Sequence, residues 1–99
     1  MSDTYYVEWH LRPALGESAL EEAVATVMEK IADEGTGAAY DVDITAAMAS
    51  GDVRLTGYVD VEDGHRAPVT FVESVTATAP EFADWPGVSV KATPVSEWT

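Results

Sequence analysis

Apolar and polar residues alternate one by one from Tyr5 to Arg12. Tyr5, Val7, Trp9 and Leu11 fall on one side of an extended chain, and Tyr6, Glu8, His10 and Arg12 on the other. A two-residue period is that of a strand, whose successive side chains leave opposite faces. The first set suits a core. The second set holds a phenol, a carboxylate, an imidazole and a guanidinium, and is too polar to bury. Pro13 ends the run.

The period then lengthens. Leu20, Val24, Val27, Met28 and Ile31 recur at helical spacing and predict a helix over about residues 19–34. Ser18 with Glu21 reads as an S-x-x-E capping box. Glu17, Glu21 and Glu22 put negative charge where the helix dipole favours it, and Gly35 and Gly37 supply the stop.

Alternation returns after the glycines. Tyr40, Val42 and Ile44, continued by Ala46 and Met48, alternate with Asp41, Asp43 and Thr45. Val53, Leu55, Val59 and Val61 alternate with Arg54, Thr56, Tyr58 and Asp60. The sequence ASGD at 49–52 between them is a hairpin turn. Gly57 falls on the inward side of the second of these strands, where it marks a bulge or the close approach of a helix. Residues 68–79 fit two patterns. A helix would bury Val69, Val72, Val75 and Ala79, with Pro68 at its first position. A strand would bury Val69, Phe71, Val75 and Ala77, and valine and threonine are weak helix formers. Length and topology favour the helix. Pro80 breaks it, and Phe82 and Trp85 anchor the exit. Val88, Val90 and Ala92 then alternate with Ser89, Lys91 and Thr93, and Pro94 confines that strand to a sheet edge.

The order is β-α-β-β-α-β, the ferredoxin-like split βαβ pattern of the α+β class. It implies a four-stranded antiparallel sheet with both helices on one face and the first and third strands in the centre. At 99 residues the chain is expected to form a single domain, 1–99. Tyr6, Glu8, His10 and Arg12 then share the open sheet face with Arg54 and Tyr58, and these six are the candidate binding residues.

Charge and composition narrow the chemistry. Eighteen acidic residues against five basic ones give a net charge of −13, which repels phosphate backbones and argues against direct nucleic-acid binding. The chain has no cysteine, hence no disulfide, thiolate metal site or cysteine nucleophile. No apolar run approaches the roughly 20 residues that span a bilayer, and MSDTYY does not open like a signal peptide. The expectation is a soluble cytoplasmic protein that does not engage membranes. No phosphate-binding glycine loop, nucleophile elbow or zinc-binding helix motif is present, so no cofactor or metal is expected. Asp60, Glu62, Asp63 and His65 read as an acidic turn, because Gly64 stands at the wrong offset for a calcium loop. No catalytic residue is assigned. Glu8 and His10 share a face, but residues two apart on a strand are about 7 Å apart, too far for a direct bond.

Three functions compete. The first expectation is a small acidic, non-catalytic interaction or assembly module. It would pair with itself as a homodimer, or dock on a larger protein, through the polar sheet face or the acidic first helix. The second is a small enzyme or small-molecule-binding protein built as a sheet-to-sheet dimer, with His10 and Glu8 in the cavity. The third is an acidic mimic of DNA that inhibits a nucleic-acid-binding protein.

Overall fold

The computed structural model describes residues 3–47 and 49–98. Met48, which the alternation assigned to the second strand, lies outside the described residues. The elements are β1 (Asp3–Leu11), α1 (Glu17–Glu34), β2 (Ala39–Ala47), β3 (Asp52–Val61), α2 (Ala67–Thr78) and β4 (Gly87–Pro94). Short 3-10 turns cover Gly64–Arg66, Pro80–Asp84 and Val95–Trp98. The strands form one sheet in the order β2-β3-β1-β4, with every pairing antiparallel. This is the ferredoxin-like α+β fold.

One face of the sheet and the inner stripes of both helices make the core. Val7, Trp9 and Leu11 of β1, Ile44 of β2, and Val53, Leu55 and Val59 of β3 meet Leu20, Val24 and Val27 of α1 and Phe71 and Val75 of α2. The turn between β2 and β3 runs between the paired residues Ala47 and Asp52 and places Gly51 at φ 76°, a left-handed conformation that glycine adopts without strain.

Four details depart from the sequence pattern, each for a local reason. The helix α1 starts at Glu17, with Gly16 as its N-cap and the Gly16 carbonyl accepting from Leu20 N at 2.8 Å. Ser18 is therefore already inside the first turn, and no side chain caps the helix. Met28 lies to the side of the buried stripe and is exposed. In α2 the buried stripe is Ala67, Phe71 and Val75, continued by Ala79 beyond its end. The large Phe71 ring takes the central position, Val72 is half-buried, and Val69 is turned out with 48% of its surface exposed. On the edge strand β4, Val88 and Val90 are also exposed.

The fourth departure is in β2. Tyr40 pairs with Tyr58 and Asp43 with Thr56, so two residues, Asp41 and Val42, stand against the single Gly57. Asp41 is the only non-glycine described residue with positive φ, at 52°. This bulge inverts the phase of the strand before it. Ala39 turns into the core and Tyr40 turns onto the open face, the reverse of what unbroken alternation assigns. Gly57 also satisfies its other expectation. A Cβ there would stand 2.8 Å from the Phe71 ring.

Candidate functional site

The register of the central strands fixes what meets on the open face. Tyr6 lies opposite Tyr58, Glu8 opposite Thr56 and His10 opposite Arg54. On the other side, Glu8 lies opposite Lys91 and His10 opposite Ser89. Three tyrosines form a row across the sheet. Tyr40 stacks on Tyr58 with ring centroids 5.7 Å apart, and Tyr58 meets Tyr6 at 5.5 Å and a steeper tilt. The Tyr40 hydroxyl donates to Asp60 Oδ1 at 3.1 Å, and Thr4 Oγ1 donates to the same oxygen at 2.6 Å. Thr4 pulls the Tyr40 phenol pKa down, but desolvation and the Asp60 carboxylate outweigh it and leave it above its ordinary value.

His10 and Arg12 converge on one carboxylate. His10 Nε2 lies 2.9 Å from Asp52 Oδ1, and Arg12 Nε donates to the same oxygen at 2.8 Å. The His10 side chain is only 18% exposed. Hydrogen bonds from Ser50, Arg12 and His10 hold the Asp52 carboxyl well below the usual carboxylate range. Glu8 instead faces Arg54, at 3.9 Å. The acid that serves His10 is thus Asp52 and not Glu8. All six sequence-predicted residues share the face, but Asp52, which ties two of them together, was missed. It opens β3, 42 residues after His10. Only the β1–β3 register brings it close, and no local pattern encodes that register.

The face is also where the scarce positive charge collects. Arg12, Arg54 and Lys91, three of the five basic residues, lie on it. The helical layer behind carries Glu17, Glu21, Glu22, Glu29, Asp33 and Glu34 on α1 against a single Lys30.

The other side of the sheet holds a pocket. After α2 the Pro80–Asp84 turn drops Phe82 into the core, with its ring 5.7 Å from Trp9 and edge-on to Trp85 at 5.1 Å. Lys30 Nζ holds both Glu81 oxygens at 2.9 Å, which ties this turn to α1 and keeps the Glu81 carboxyl below its ordinary pKa. Between the turn, α2 and the end of β1 lies a cavity of about 480 Å³, lined chiefly by Trp9, Leu11, Val72, Ala77, Phe82 and Trp85. A volume of a few hundred Å³ with aromatic walls is that of a small-molecule site. Sequence reasoning placed Phe82 and Trp85 as anchors, but not the recess they frame.

The fold and this recess define the class: a ferredoxin-like α+β sheet with a largely apolar recess beside α2. No family model matches the sequence, and no curated protein matches it. Solved structures do share the fold. A Chloroflexus aurantiacus protein, provisionally named an antibiotic biosynthesis monooxygenase, aligns with a TM-score of 0.55 at 11% identity, over 92% of this chain and 91% of that one. An uncharacterized Thermotoga maritima protein aligns at 0.49 and 12% identity, over 96% and 99%. A Nitrosomonas europaea protein with the same provisional name as the first aligns at 0.46 and 14%, over 95% and 89%. At such identities the likeness is one of fold. The first expectation, a non-catalytic interaction module, is corrected at this point, since the neighbour that superposes best of these three carries a provisional enzyme name.

Proposed function

We propose that this protein binds a small apolar molecule in the pocket beneath α2, as a small enzyme or ligand-binding protein built as a homodimer. The cavity of about 480 Å³, walled by two indoles and a phenyl ring, carries the reading. The shared fold with a protein provisionally named a monooxygenase supports the same class.

The open face is the proposed contact between copies. Tyr6, Glu8, His10, Arg12, Arg54 and Tyr58 offer aromatic surface and both signs of charge in a self-complementary patch. In that arrangement the imidazole of His10, oriented by Asp52, faces the space between the sheets. It is the group there suited to move a proton. We assign the protein to the cytoplasm. No helix among the described residues is long and apolar enough to cross a membrane.

The test is a titration with a neutral apolar dye such as Nile red. The protein should enhance and blue-shift its emission, and Ala77→Trp, which fills the recess from the surface of α2, should abolish the response while leaving the thermal transition in place. No response from the unaltered protein refutes the reading. Light scattering on Tyr58→Glu reports on the dimer separately.

A further inference from the structure

The pocket beneath α2 does not end at its own walls. Val72 and Glu73 line it and also line a neighbouring recess of about 360 Å³ formed with Pro68, Val69 and Val90. The two together make a groove from Trp85 and Gly87 at one end to Pro68 and Val90 at the other. That shape suits an extended molecule better than a compact one.

The groove is apolar apart from Thr76 and one carboxylate. Glu73 is the only charged side chain lining either recess. Its carboxylate makes no hydrogen bond or ion pair with another described residue. The nearby Glu81 differs, since Lys30 neutralises it. A carboxylate midway along an apolar groove, with no cation of its own, complements a ligand that brings a cation on an apolar body. The net charge of −13 acts in the same direction by gathering cations and repelling anions.

We propose that the groove takes an elongated apolar amine, with its ammonium at Glu73 and its hydrocarbon across Val72 in both recesses. This rests on the pocket reading above and names the class of ligand.

The test titrates isotopically labelled protein with octylamine, 1-octanol and octanoate at matched ionic strength. The readout is the indole N–H signals of Trp9 and Trp85. Octylamine should bind about threefold to fivefold more tightly than octanol, the size of one exposed ion pair, and octanoate most weakly. Glu73→Gln should bring the amine down to the affinity of the alcohol. Glu21→Gln, on α1 and outside the groove, should leave the preference intact. A preference that survives Glu73→Gln comes from the overall charge and overturns the proposal. Equal binding of amine and alcohol to the unaltered protein also overturns it, while the pocket reading stands. If none of the three ligands moves the indole signals, the pocket reading falls and this proposal falls with it.

Discussion

Replacing Gly57 with alanine adds one methyl group at the tightest point of the core. The new Cβ would stand 2.8 Å from Phe71 Cε2, 3.1 Å from Val42 Cγ2 and 3.2 Å from the Tyr40 carbonyl oxygen. Phe71 is fully buried, so its ring has nowhere to withdraw. The Tyr40 carbonyl belongs to the bulged backbone and cannot rotate away like a side chain. Two effects oppose each other. Alanine in a strand is worth about 0.5–1 kcal/mol over glycine through the entropy of the unfolded chain. Overpacking a filled core costs about 1–3 kcal/mol. Steric strain wins, and Gly57→Ala should lose about 1–2 kcal/mol. At about 4–8 °C per kcal/mol for a domain of this size, Tm should fall by roughly 5–15 °C. Urea unfolding followed by circular dichroism should show a lower midpoint at unchanged slope. Phe71→Leu removes the ring edge that the methyl group strikes. The double variant should therefore be less destabilised than the sum of the two singles, by at least about 0.5 kcal/mol. A Gly57→Ala protein as stable as its parent, or a strictly additive double variant, would refute the reasoning.

Two further outcomes test the bulge and the Asp52 cluster. Asp41 holds φ 52°, which a β-branched residue adopts at a cost of about 1–2 kcal/mol. Asp41→Val should lower the thermal midpoint and Asp41→Gly should not, and equal midpoints would mean that the bulge relaxes. Asp52 has a folded pKa below its ordinary 3.8, so the unfolded chain binds more protons between the two values and stability is lost as the pH drops through that window. The advantage of the parent over Asp52→Asn should be complete above about pH 4 and shrink below it. An advantage that stays constant from neutral pH into acid would show that the hydrogen bonds of Asp52 do not depend on its charge.

The periodic parts of this chain were legible because one face of each element had to be buried. The alternation in β1 and β3 and the stripe of α1 led directly to the strand order and to the six residues of the open face. Three things were not legible, for separate reasons. The phase of β2 slips at Asp41, and an unbroken two-residue template cannot contain a slip. It put Tyr40 inside and so missed the tyrosine row. The rotation of α2 was misjudged because Ala67, Val69, Val72 and Val75 give no contrast in hydrophobicity, and only the bulk of Phe71 decides which stripe turns inward. The partner of His10 was hidden because pairing between β1 and β3 spans about half the chain. The pocket belongs to the same category, since its walls come from β1, α2 and the turn after it.

The uneven placement of charge also governs how the molecule approaches a neighbour. On the open sheet face three cations stand against Glu8, Asp52 and Asp60, whereas α1 carries six carboxylates against one lysine, so the helical side is the more negative pole. An electric torque therefore acts on it before any contact forms, out to about the 10 Å screening length of 0.1 M salt. For two copies meeting in the proposed homodimer, this torque favours helical sides apart and sheets together. A positively charged surface would capture the same molecule in the opposite pose, helices down and tyrosines up. Added salt removes this steering without touching any contact, so its first effect on the proposed pairing would fall on the rate of encounter and not on the lifetime of the pair.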